Sequence, residues 1–296
     1  MDKTLLLIGG SNIDYIATSN NKIIPSVSNI GEVSISFGGV MRNICENLAR
    51  LGNKIDFITA IGNDANGKAL KNQLIEMGVN VYSPISNFPS GSYVAINDSN
   101  HDMINAICDN RIISTLDINY LKSLDELIKK HEYILIDSNV EKASIDYLFK
   151  TYPDKKFIVE AISPSKVLKF KDHLSNVFLI KCNIHEAKSL INDELDVKEL
   201  TIALLNKGIK NVVLSNGSKN IYYGENKDKI GVFKVEEIKE FVNTTGCGDA
   251  LTSGVSDHYI RGYSLLESIA FGNELSKITL MSKGATSKDI EKFRHN

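Results

Sequence analysis

Short apolar runs alternating with amphipathic segments constrain this chain more than any other feature of it. Leu5–Ile8 is the first run and Lys54–Ile61 the next; Tyr133–Ile136, Phe157–Val159, Val177–Ile180 and Asn211–Leu214 follow. Each is short, rich in aliphatic side chains, and leads into a helix or a helix start. Between the first two, Val40–Leu51 sets Ile44, Leu48 and Leu51 at helical spacing, and Gly52 stands where a left-handed stop is favoured. Ala65–Met77 likewise runs up to Gly78. Strand-then-helix repetition of this kind predicts an α/β fold of three layers, a central mostly parallel sheet flanked by helices.

Two regions break that rhythm. Lys22–Phe37 reads as two extended pieces, and Val33–Phe37 alternates apolar and polar with period two. Ser92–Ile96 and Met103–Ile107 form a second pair around the turn-prone Asn97-Asp98-Ser99-Asn100. Four such strands outside the repeating series predict a small β-sheet lid, inserted at about residues 15–37 and 91–109 of a single domain spanning residues 1–296. Two decorative hairpins would leave the same trace in the sequence.

Charge narrows the function classes. Thirty-four Lys and Arg stand against 36 Asp and Glu, a formal net charge of −2, so nothing electrostatic recommends a nucleic-acid or membrane partner. The cysteines Cys45, Cys108, Cys182 and Cys247 are far apart and form no CxxC pair, which fits a reducing cytoplasm better than a disulfide framework or a zinc site. The run Leu5–Ile8 ends in Gly9-Gly10 rather than a cleavage site, and no stretch approaches the roughly 18 apolar residues that span a bilayer.

The chemistry concentrates in Asn243-Thr244-Thr245-Gly246-Cys247-Gly248-Asp249. Two glycines around a small residue let successive backbone N–H groups converge on an anion, and a helix starting near Gly248 adds its positive end. An acid at that position is either a helix cap or a general base beside a phosphoryl-transfer site. The residues of this segment alone leave both readings open.

This stretch resembles the C-terminal signature of ribokinase-like (PfkB-type) carbohydrate and nucleoside kinases, D-[TS]-x-G-[AC]-G-D. The N-terminal signature is similar as well, with Gly38-Gly39, Asn43, Gly52 and Gly62 at matching spacings. Asn183-Ile184-His185-Glu186 resembles the family's N-x-x-E, although it also reads as a capping box. Ser215-Asn216-Gly217 stands at the place of the nucleotide loop, and Gly272-Asn273 at the segment beside the adenine. The resemblance covers the whole chain. It implies Asp249 as the base, with the amides of Gly246, Cys247 and Gly248 as the anion hole. It further implies Asn12, Asp14, Gly39 and Asn43 at the sugar, and Asn183, Glu186, Ser215, Gly217 and Asn273 at ATP. Mg²⁺ would be held by Glu186 through water.

The acceptor is suggested by a narrower likeness. Ser26–Gly31, the run Gly39–Gly52 and Asp102–Asp109 resemble segments of pseudouridine kinases. By that likeness the product is pseudouridine 5′-phosphate, with Asn29 and Asp109 as polar lid contacts and Ile96 and Ile107 as apolar ones. Uridine, adenosine or ribose remain alternative acceptors, and a silent nucleoside-binding regulator remains an alternative class. Family lids often pair between chains, which implies a homodimer through Val33–Phe37. Asn243 departs from the family's Asp, a position that with Thr245 helps form a K⁺ site, so K⁺ dependence stays open. Glu160-Ala161 departs from a familiar Asp-Pro.

Overall fold

Along the first strand, alternate side chains enter two different cores. Leu5 and Leu7 pack on one side of the sheet, Leu6 and Ile8 on the other, and none is more than 1% exposed. That is the physical content of a strand with no polar face. The computed structural model describes residues 4–227 and 229–295.

The strands are β1 (Leu5–Gly9), β2 (Asn12–Ser19), β3 (Gly31–Gly38), β4 (Ile55–Thr59), β5 (Asn80–Tyr82), β6 (Gly91–Asn97) and β7 (Met103–Asp109). They continue as β8 (Tyr133–Asp137), β9 (Lys156–Glu160), β10 (Val177–Asn183), β11 (Asn211–Ser215), β12 (Ile221–Glu225) and β13 (Lys229–Phe233). Nine of them form one sheet in the order β13-β12-β11-β10-β9-β8-β1-β4-β5. It is parallel from β11 to β5, and the hairpin β12–β13 closes one edge antiparallel.

Helices cover both faces. Val40–Arg50, Cys247–Ile260 and Leu265–Leu280 lay Ile44, Val255 and Ile269 on one side. Lys142–Thr151 and Val197–Asn206 lay Leu148 and Leu204 on the other. The expected three-layer α/β architecture is therefore present, and a separate four-stranded sheet, β3-β2-β6-β7, stands beside it as the expected lid.

One lid strand lies elsewhere than its sequence suggested. Lys22–Phe37 holds a single strand, β3, and its partner β2 begins at Asn12, straight after β1. Asn12-Ile13-Asp14-Tyr15 alternates polar and apolar, but Ile16 follows Tyr15 and breaks the alternation after four residues. The residues expected to be extended instead turn. Asn29 holds that turn, accepting from the Ile24 N–H at 2.9 Å and donating to the Ile24 carbonyl at 3.0 Å.

Candidate active site

Parallel strands point the same way, so their C-terminal ends deliver side chains to one edge of the sheet. β8 ends in Asp137, β9 in Glu160, and β10 runs through Lys181 to Asn183. The helix Cys247–Ile260 begins above that edge. Gly246 caps it with φ +83°, and a side chain there would meet the Ala285 carbonyl oxygen at 1.9 Å, so this turn needs glycine. Of the expected anion-hole amides, the Cys247 N–H already donates to the Thr244 carbonyl at 3.3 Å. The N–H groups of Gly248 and Asp249 belong to the first turn, whose donors have no intrahelical partner.

Asp249 is 9% exposed and accepts from Asn43 Nδ2 at 2.8 Å. This bond joins the two ends of the chain, 206 residues apart. Burial pushes the Asp249 carboxyl up to about 7, and the Glu160 and Asp137 carboxylates push the same way against Asn43 and Lys181. A capping aspartate would accept backbone N–H bonds. This one is instead turned toward a side-chain amide and held near neutral pH, where a base is most useful.

Asp14 lies on β2 and is connected to Asp249 through Arg42 and Asn43. Its carboxylate accepts from Asn12 Nδ2, and burial raises it to about 6 despite that bond and the Arg42 charge. Gly39 brings the backbone round with φ +100°, and a side chain on it would meet the Gly10 carbonyl oxygen at 2.8 Å. Arg42 braces this corner. It donates to the Phe37 carbonyl at 2.9 Å and to Asn43 Oδ1 at 3.1 Å, and it pairs with Glu46.

A cavity of about 510 Å³ opens on the other side of the helix start. Ser215, Gly217 and Asn273 line it together with Cys247 and Gly248, so the expected nucleotide residues and the anion-hole turn share one space. Its apolar walls, Ile221, Val235, Ile238 and Phe241, were not singled out from sequence, because nothing distinguishes them from core residues there. Asn183 and Glu186 lie outside that lining. They form the capping box, with the Asn183 N–H and Nδ2 donating to the Glu186 carboxylate at 2.7 and 2.8 Å. A larger cavity, about 720 Å³, lies around Asn53, Tyr133, Asp257 and His295 at the far end of the same helix, whose 14 residues span about 20 Å.

The lid residues divide differently from expectation. Residues directly opposite one another in a sheet share a face. Asp14 aligns with Ser36 and Tyr93, whereas Ile107 aligns with Val94 and Tyr15, and Ile96 with Ala17. Ile96 and Ile107 therefore occupy the face opposite Asp14, 44% and 71% exposed. Asp109 is turned to Arg111 in a two-pronged pair at 2.9 and 2.7 Å, and Asn29 is spent on its own loop. None of the four faces the Asp14 side within one protomer.

At Asn243 both ends of the amide are engaged: Oδ1 accepts from the Thr245 N–H at 3.0 Å, and Nδ2 donates to the Lys283 carbonyl at 3.3 Å. The Cys247 thiol is pushed up to about 11 by burial and by Asp249, so it is a packing group rather than a reactive thiolate.

Comparison with known proteins agrees with this geometry. The pfkB family carbohydrate kinase pattern matches residues 2–292. The pseudouridine kinase of Escherichia coli (strain K12) is 28% identical over 294 residues, covering 97% of this chain and 93% of that one. A carbohydrate kinase from Agrobacterium tumefaciens superposes with a TM-score of 0.86 at 26% identity, covering 98% and 96% of the two chains. Arabidopsis thaliana ribokinase complexed with ribose and ATP superposes with a TM-score of 0.81, covering 99% and 98%; at 18% identity that likeness concerns the fold.

Proposed function

Because the chain belongs to the pfkB family of carbohydrate kinases, we propose that it moves the γ-phosphoryl group of ATP to the 5′-hydroxyl of pseudouridine. The products are pseudouridine 5′-phosphate and ADP. Membership of the family makes it a phosphotransferase with a hydroxyl acceptor; the nucleoside is the finer reading. It is supported by the likeness to the Escherichia coli enzyme along nearly the whole length of both chains.

The observation that carries the kinase mechanism is the position of Asp249, buried at a helix start, bonded to Asn43 and next in sequence to Gly248 of the 510 Å³ cavity. Asp14 and Asn12 accept and donate to the sugar hydroxyls, with Gly39 letting the backbone come close. The 5′-hydroxyl oxygen then lies beside Asp249, which takes its proton as that oxygen bonds to the γ-phosphorus and the bond to ADP breaks. The unpartnered first-turn N–H groups at Gly248 and Asp249 face the charge that develops on the transferring group. Adenine is received by the apolar walls around Ile221 and Phe241, beside Asn273.

Mg²⁺, when bound, neutralises charge on the phosphates. Glu186 fits the role of holding it through water, since each carboxylate oxygen keeps a lone pair beyond its bond to Asn183. K⁺ fits poorly at Asn243, because an uncharged amide stands where the family has a carboxylate and its Oδ1 already accepts from the Thr245 N–H. The lid supports a homodimer, since β3 is an edge strand with Val33 and Ile35 exposed at 65% and 59%.

The test is turnover of pseudouridine, uridine, adenosine and ribose with ATP-Mg²⁺, read by the mass of each monophosphate, for the wild type and Asp249→Ala. Product chiefly from pseudouridine, lost in the variant, is the expected result. Preference for another acceptor overturns the substrate, and no product from any of them overturns the kinase reading.

A further inference from the structure

Beneath the first turn of the helix Cys247–Ile260 lies a buried ion pair that the mechanism above does not use. Lys181 Nζ is 2.9 Å from Glu160 Oε1, and the residues are 7% and 3% exposed. They are register partners on β10 and β9, both on the sheet face that this helix covers. Thr252, one turn into the helix, donates to Glu160 Oε2 at 2.5 Å and so ties the pair to that turn.

We propose that Lys181 is a further catalytic residue that grips an oxygen of the transferring phosphoryl group at Gly248, and that Glu160 is the positioning residue that holds it there. This rests on the kinase reading. Three observations carry it. A side chain at Gly248 would stand 2.9 Å from Lys181 Nζ, so the ammonium fills the space that this glycine leaves open at the anion-hole turn. An ammonium has three donors, and among the described residues Lys181 spends one, on Glu160. The third observation is one of charge. Asp249 is faced by Asp137 from β8, Glu160 from β9 and Lys181 from β10, with Asn43 above, and Glu186 also acts on Lys181. Among these groups Lys181 is the one cation, in a place that has to receive the most highly charged part of ATP.

A purely structural pair would have no reason to be ionic. Replacing a buried ion pair with well-packed neutral side chains is often neutral or stabilising, so its cost is repaid elsewhere. Burial works against the Lys181 charge, yet the carboxylates of Glu160 and Glu186 hold its affinity for the proton above the ordinary lysine value. The ammonium therefore stays charged throughout the working pH range.

The experiment compares Lys181→Met, Glu160→Gln, Glu160→Asp and the double variant Lys181→Met/Glu160→Gln, which leaves no lone buried charge if a single variant fails to fold. Loss of the phosphoryl grip is expected to lower kcat by roughly 10²–10³-fold in Lys181→Met and in the double variant, with little change in KM for the acceptor. Glu160→Asp restores most of the activity. In pH profiles of kcat/KM the acidic limb moves up for Lys181→Met and down for Glu160→Gln, since they remove opposite charges beside Asp249. A kcat within threefold of wild type in the double variant overturns the proposal, as do two limbs that move in the same direction. Calorimetric binding of ADP with aluminium fluoride, a mimic of the transferring group, separates this idea from the acceptor reading. It is expected to weaken at least tenfold in the double variant while ADP alone is unchanged. A wild type that turns over no acceptor yet shows this contrast sinks the acceptor reading and supports Lys181; equal binding overturns the role of Lys181.

Discussion

The edge of the central sheet and the lid are built on opposite plans. At the sheet edge, Asp249 is bonded to Asn43 and Lys181 to Glu160, with Asp137 beside them, and all five are buried on a strand end or a helix turn. On the lid, Val33, Ile35, Ile104 and Ile107 are all more than half exposed, and the polar groups Asn29 and Asp109 are spent on near neighbours. Rigid burial is what phosphoryl-transfer chemistry needs, because preorganised charge works best where water is excluded. An exposed sheet suits a part that meets an acceptor or a second chain. The two regions differ in burial: the groups proposed for the chemistry are enclosed, whereas the lid leaves large apolar side chains open.

The largest effect that sharpens this contrast belongs to the base. Asp249→Asn is expected to lower kcat by about 10²–10⁴-fold, the usual contribution of a general base. It also tests the electrostatics through stability. With its carboxyl raised from 3.8 to about 7, folded Asp249 keeps its proton at pH values where the unfolded chain has lost it, so its burial destabilises the fold increasingly as pH rises toward 7. Asparagine removes that penalty, which at about 1.4 kcal/mol per unit amounts to roughly 4 kcal/mol above pH 7. The variant should therefore melt higher than wild type at pH 8, with the gap closing toward pH 4. A variant less stable than wild type at pH 8 would show that the folded protein stabilises the ionised carboxylate.

Next in size is Asp14, which joins the lid to the chemistry. Asp14→Ala removes hydrogen bonds to a charged group worth roughly 1.5–3 kcal/mol, so kcat/KM for the acceptor should fall by about 10–150-fold. KM for ATP should hardly move. An equal loss in both substrates would mean that the corner at Asn12 and Gly39 has collapsed rather than lost one contact.

How much of this was legible beforehand follows from what kind of information each residue carries. Asp249, Gly246 and Gly248 stand within four positions, and backbone geometry links them locally, so a glycine-flanked acid at a helix start can be read from the sequence. Lys181 and Glu160 could not be read in this way. They are 21 residues apart on neighbouring strands, and only the parallel register brings them together under a third element. Glu160 stood out as an unusual residue, without any hint of its partner. The lid follows a related rule: a strand's two faces differ by one position, and Ile96 and Ile107 are assigned to a face only by their register with Asp14.

A smaller effect is expected at the lid. Ile35→Lys places a charge on the exposed edge strand, and sedimentation should show monomer in place of the proposed wild-type dimer while kcat stays within a few-fold of wild type. A variant that remains dimeric moves the interface elsewhere; one that loses all turnover would erase the separation of the two regions. Smallest of all is the response to K⁺. Exchanging KCl for choline chloride at constant ionic strength should change neither kcat nor Tm measurably, because the Asn243 amide already bridges the loop at Lys283. Strong activation by K⁺ would refute that reading of the amide.

The sequence by itself determined the layered α/β plan, the existence of a second small sheet, and the glycine turn before the helix at Cys247, since each depends on periodicity or on a few adjacent residues. The tertiary structure alone decided which groups surround Asp249, that Asn43 reaches it from 206 residues away, and which lid face looks toward Asp14. The physical reason is range. Propensity and turn geometry act over one or two turns of chain, whereas the charge felt by a buried carboxylate comes from whatever side chains the sheet register and helix packing set beside it.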